Sequence, residues 1–104
     1  MLPPATDFEE AAVAESREKV EEPPLFKVLL HNDDYTTMEF VVWVLEGIFH
    51  MPVDQAVQVM LYVHTSGIGV AGVYTYEIAE MKVNKTTDLA RENEFPLLCT
   101  MEKA

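Results

Sequence analysis

An amide, two carboxylates and an imidazole are the groups of this sequence best placed to do chemistry. Asn32, Asp33 and Asp34 stand in succession in the stretch HNDDYTTMEF, and His64 falls on a helix-forming stretch further along the chain. The side-chain oxygens of Asn and ionised Asp accept hydrogen bonds, as does the unprotonated nitrogen of a neutral imidazole. One use for such a set is to hold a divalent metal or share protons, which would make a small metal-dependent enzyme of Asp33, Asp34 and His64. Another is to grip an ammonium group: an α-amino group, with a pKa of about 7.7 to 8.0, is mostly charged at neutral pH and offers three donors. A third reading assigns no chemistry at all. Asn and Asp suit turns because they bond their own backbone, and a histidine on an apolar helix face is commonly satisfied by a backbone carbonyl. Catalysis fits worst. No Ser or Cys nucleophile has a local motif, neither HExxH nor a glycine-rich phosphate loop occurs, and Asp33 and Asp34, as sequence neighbours, tend to point apart. The expectation is a binding protein with no catalytic residue, no metal and no cofactor. His31 and His50 lack a comparable context and receive no role.

The elements that must position these groups are readable from patterning. After Pro23 and Pro24, the apolar run LFKVLL predicts a strand from Leu25 to Leu30, which puts Asn32 to Asp34 in the turn that leaves it. Thr36 followed by Glu39 has the capping-box spacing and predicts a helix from near Thr37. Phe40, Val41, Val44, Leu45, Ile48 and Phe49 recur along it as a buried stripe, with Trp43 on the opposite face. Pro52 breaks that helix and starts the next, which carries Asp54 in its first turn and runs to about Ser66. On this second helix Val53, Ala56, Val57, Met60, Leu61 and His64 fall on one stripe, so a buried His64 is expected beside Met60, in need of a partner. Met38, Val41, Met60 and Val63 fit an apolar pocket next to the polar groups, or ordinary core packing; spacing does not separate the two.

Gly67 ends the second helix, and IGVAGVYTY reads as a strand in which Gly69 and Gly72 mark a bulge or a close approach of another segment. Thr75 is placed to cap a third helix from about Tyr76 to Glu92; Pro96 then forces an extended chain, and PLLCTMEK closes the fold as a strand with Leu97, Cys99 and Met101 on one face. The order β-α-α-β-α-β predicts an α+β fold in which a small three-stranded antiparallel sheet packs against three helices.

Composition narrows the class of partner. With 104 residues, 49% of them hydrophobic, the chain supports one folded domain. A net charge of -11 repels phosphate backbones and anionic membranes, so neither nucleic acid nor a membrane is an expected partner, and a cationic one fits better. Acidity also serves simply to keep a protein dispersed. The single cysteine, Cys99, excludes an intrachain disulfide and a thiolate zinc site and suits a reducing compartment. The opening MLPPATDFEE has neither a basic nor an apolar leader region, so a cytoplasmic location is expected. Residues 1–24 carry Glu9, Glu10, Glu15, Glu18, Glu21 and Glu22 with little that is large and apolar beyond Phe8, which predicts a flexible acidic extension before a folded domain over residues 25–104. Its stretch EEAAVAESREKVEE is built from helix formers but is too short to be a stable helix alone.

The motifs NDDYT followed by MEFV, then LYVH, GVYTYEIAEMKV and the terminal PLLCTMEKA resemble ClpS, a family of bacterial adaptors that deliver N-degron substrates to the ClpA unfoldase of the ClpAP protease. The resemblance runs from Pro24 to Ala104. It implies that Asn32, Asp33, Asp34 and His64 surround the α-amino group of a substrate. It further implies that Thr36, Met38, Val41, Met60, Val63 and Leu97 form or border a pocket for the first side chain, with Met38 as gatekeeper against β-branched residues. Substrates of the family begin with Phe, Tyr, Trp or Leu. Tyr35, Glu77, Glu80 and Lys82 correspond to the family's contact with the N-terminal domain of the unfoldase, and the protein is expected to act as a monomer. One departure stands out: Thr37 occupies a position where the family usually has Pro, which should cost some backbone rigidity and leave the pocket chemistry intact. Trp43 is a second unusual choice.

Overall fold

The computed structural model describes residues 22–104. The predicted acidic extension therefore lies outside the described residues apart from Glu22, Pro23 and Pro24. The elements follow as β1 (Leu25–His31), α1 (Met38–Gly47), α2 (Val53–Ser66), β2 (Ile68–Thr75), α3 (Tyr76–Glu92) and β3 (Leu98–Lys103). β1 is the middle strand of a sheet ordered β2-β1-β3, and both pairings are antiparallel. The predicted α+β architecture is thus the observed one.

Helices pack over one face of the sheet, where Val28 and Leu30 of β1 are fully buried with Val44 and Leu45 of α1. The stripe predicted for α1 is the buried one, with Phe40, Val41 and Phe49 below a tenth exposed and Ile48 partly covered. Trp43 faces outward, half exposed, its ring meeting Phe40 edge-on at 5.9 Å. Between Val28 and Leu29 the β1–β2 register slips by one residue: Val28 faces Gly72, Leu29 faces Val70, and Ala71 is the extra residue of a bulge. A side chain at Gly72 would collide with the Tyr74 hydroxyl, which accounts for the glycine. Gly67 closes α2 in the left-handed conformation (φ 89°), donating its N–H to Val63 O at 2.9 Å, a geometry that a residue with a Cβ adopts only with strain.

Three local expectations need correction. The cap of α1 is Thr37, whose side-chain oxygen accepts from Phe40 N–H at 3.2 Å, and not Thr36, because the Thr36 hydroxyl is committed to Asp33. The predicted pairing of Thr36 with Glu39 is therefore absent. On α2 the buried residues are Ala56, Met60 and Val63, whereas Val53, Val57 and Leu61 face solvent. His64 is exposed as well, so the expectation of a buried ring lacking a partner does not hold. Thr75 does occupy the N-cap position of α3, but its side chain makes no capping bond.

Candidate functional site

Loop 32–37 leaves the end of β1 and crosses to the start of α1 beside the last turns of α2. Two bonds fix it to α2: Asn32 N–H donates to Gly67 O at 2.8 Å, and the Asn32 side-chain amide donates to His64 O at 3.4 Å. With its NH2 turned to α2, the Asn32 carbonyl oxygen is left as an acceptor. The carboxyl terminus of α2, with the negative end of its dipole, stands on the same side.

Asp33 shapes the loop from within. Its Oδ1 accepts from Tyr35 N–H at 2.8 Å and Thr36 N–H at 2.6 Å, and its Oδ2 accepts from the Thr36 hydroxyl at 2.7 Å. Desolvation pushes the carboxyl upward, but the bonds from the Thr36 hydroxyl, Thr36 N–H and Tyr35 N–H together hold it below the usual 3.8. Three of roughly four lone-pair positions are thereby used inside the loop. Asp34, exposed, makes no such commitment. A folded-state pKa below the unfolded one gives stability that is present above 3.8 and is lost as the pH falls below it. Asp33→Ala should cost about 1–2 kcal/mol at neutral pH, a modest figure because the loop is partly solvated, and urea titrations should show the gap to the parent closing below about pH 4.

These elements enclose a cleft of about 360 Å³. Asn32, Asp33, Asp34, Tyr35, Thr36 and Thr37 supply its loop side, Met38 and Val41 come from α1, and Met60, Val63 and His64 come from α2. Every residue the resemblance assigned to the amino group lines it, and so do Thr36, Met38, Val41, Met60 and Val63. Leu97 does not: it is buried, and it borders a separate shallow depression with Phe95, Pro96 and Cys99. The sequence reading missed Thr37 as a lining residue, and it gave Tyr35, 79% exposed at the rim, only an outward role. The volume sits at the small end of the range for ligand sites, large enough for one side chain and an attached amine. Among the described residues no three His, Cys, Asp or Glu converge as metal ligands.

The second predicted surface comes together only in part. Glu77 and Glu80 are exposed on the first turns of α3. That end of α3 adjoins the start of β1, where Tyr76 and Phe26 meet edge-on at 5.3 Å. Tyr35 follows the opposite end of the strand, on the order of 20 Å away by strand rise. Lys82 is only 8% exposed and turns inward, donating to Ile48 O at 2.5 Å. Its ammonium lies 5.9 Å from the Phe49 ring centroid and 5.7 Å from that of Tyr74.

Residues 21–100 match the model of the family described as ATP-dependent Clp protease adaptor protein ClpS. This chain belongs to the ClpS family. Its relatives in that family include the ATP-dependent Clp protease adapter protein ClpS of Lawsonia intracellularis, 59% identical over 87 residues that make up 84% of this chain and 80% of the relative. The ClpS of Alkalilimnicola ehrlichii is 50% identical over 106 residues, covering the whole of both chains. Among solved structures, Agrobacterium tumefaciens ClpS2 bound to L-phenylalaninamide superposes with a TM-score of 0.77 at 44% identity, over 80% of this chain and 100% of that one. ClpS proteins are adaptors and not enzymes, and no helix among the described residues is long and apolar enough to cross a membrane.

Proposed function

We propose that the cleft binds proteins by a free α-amino group and a bulky hydrophobic first residue, Phe, Tyr, Trp or Leu, and that the adaptor delivers them to the ClpA unfoldase of the ClpAP protease. The observation that carries this reading is one cleft lined by two unlike sets of groups. Asn32, Asp33, Asp34 and His64 bring polar groups to its lining, while Met38, Val41, Met60 and Val63 bring aliphatic surface. The ligand of the Agrobacterium relative, an amino acid amide with a free amine and an aromatic side chain, has the same two-part chemistry. The amine would donate to the acceptors as the side chain enters the aliphatic space, and Met38, 43% exposed at the opening of α1, would screen what enters. Delivery would use Glu77 and Glu80 against the N-terminal domain of the unfoldase, with the protein acting as a cytoplasmic monomer.

The direct test is a titration series of peptides that differ only at the first residue. Phe, Tyr, Trp and Leu should bind, whereas Ala, Ser and Asp at that position should show no measurable affinity; equal binding across the series would refute the proposal.

Alkalinity should act on the ligand. Affinity for a Phe-initiated peptide should fall as the peptide's own amine loses its proton above about pH 8, and fluorescence anisotropy at rising pH reads that decline.

A further inference from the structure

Gly69 lies behind the aliphatic wall of the cleft and takes no part in lining it. It stands in β2 opposite Leu30, a fully buried residue of the central strand, so the sheet holds its backbone in place. A Cβ built on Gly69 would lie 2.7 Å from Cγ2 of Val63 and 3.2 Å from Cδ1 of Tyr62. Carbon atoms pack best at about 3.5–4.0 Å, so the Val63 methyl rests in space that only a glycine leaves open.

The two neighbours would respond differently to a side chain there. Tyr62 is 61% exposed, and its ring can swing outward into solvent. Val63 is 2% exposed, and its branched side chain has essentially one comfortable rotamer in a helix. It cannot turn away within close-packed surroundings, and the empty volume that it borders is the cleft itself. Displacement of Val63 by a side chain at position 69 therefore goes into the cleft.

From this geometry we infer that Gly69 is a positioning residue for first-residue selectivity: by lacking a Cβ it lets Val63 sit back, and so sets how large a first side chain the cleft admits. The inference rests on the cleft receiving that side chain, as proposed above. It assigns the upper size limit to a residue that never touches the substrate, with Val63 as the intermediary.

The experiment measures affinities of peptides beginning with Trp, Phe and Leu for the parent protein, Gly69→Ala, Val63→Ala and the double variant, with thermal unfolding recorded for each. Gly69→Ala should weaken the Trp- and Phe-initiated peptides by about fivefold or more relative to the Leu-initiated one. In the Val63→Ala background, where the colliding methyls are gone, the same change should leave the Trp-to-Leu ratio unaltered within about twofold. A merely structural role would lower all three affinities together with stability and leave the ratio unmoved, which would overturn the inference. So would an equal drop in ratio with and without Val63. If Gly69→Ala does not fold, Val63→Ile builds out the same wall while Gly69 stays in place, and an unchanged ratio there is equally decisive against it. Failure of the parent protein to distinguish any first residue would instead sink the binding proposal itself, so the two failures are separable.

Discussion

Acetylating the α-amino group of a Phe-initiated peptide should lower its affinity by about 100-fold or more, the largest change expected from any single modification of the ligand. The acetyl group removes the positive charge and replaces an ammonium with three donors by an amide with one. Hydrogen bonds to charged groups are worth about 1.5–3 kcal/mol each, and the loss of two accounts for the factor. A second cost adds to it. If Asn32 and Asp34 receive the amine as proposed, an amide pressed against them leaves their oxygens facing an acetyl oxygen with no proton between them. Acetylation leaves the first side chain unchanged, so the aliphatic wall of Met38, Val41, Met60 and Val63 gains or loses nothing. Comparing free and acetylated forms of one peptide by calorimetry therefore isolates the polar half of the cleft. An affinity that survived acetylation would describe a general hydrophobic docking module, and the assignment of Asn32, Asp34 and His64 to an amine would fall.

What the sequence disclosed depended on whether one local rule acted alone. Pro52 by its fixed φ and Gly67 by its freedom to adopt a left-handed conformation each mark a helix boundary, and α2 begins and ends at them. The polar run of Asn32 to Asp34 was visible as a candidate site because no core packing competes for those residue types. The face of α2 was a different matter. Val53, Val57 and Leu61 satisfy helical spacing as well as Ala56, Met60 and Val63 do, so the pattern admits two stripes, and only the sheet and α1 decide between them. The adjacent threonines posed the same problem at smaller scale. Either Thr36 or Thr37 could cap α1, and the choice fell to Thr37 because Asp33, reached only once the loop folds back, engages the other. Leu97 was assigned to the cleft by family correspondence alone, and its buried place just before β3 depends on a crossover that no local pattern encodes.

Lys82 carries the sharpest conflict between a sequence expectation and the fold, and replacing it should separate two roles. A lysine on a helix beside Glu80 reads as a surface charge, yet this one reaches across from α3 to the carboxyl end of α1, whose last turn contains no basic residue. Its ammonium supplies the positive charge that the negative end of the α1 dipole lacks, and the Phe49 and Tyr74 rings flank it. Desolvation, and then the repulsion of Lys85, lowers its pKa below 10.5, so the buried charge has a cost that the bond to Ile48 O and the two ring faces offset. Lys82→Ala removes the bond and opens a cavity beside the two rings, and should destabilise the fold by about 2–4 kcal/mol in urea titrations. Lys82→Met keeps most of the volume and abolishes the charge together with its desolvation, and should cost only about 1 kcal/mol. The ordering of the two variants is the decisive reading, because loss of a surface contact would leave both as stable as the parent. Peptide binding completes the separation. Lys82 lies outside the cleft, so Lys82→Met should bind a Phe-initiated peptide with unchanged affinity. Weakened association of that folded, peptide-competent variant with the unfoldase would mean that Lys82 leaves its inward position on docking, whereas unaltered association would confine the surface contact to Glu77 and Glu80.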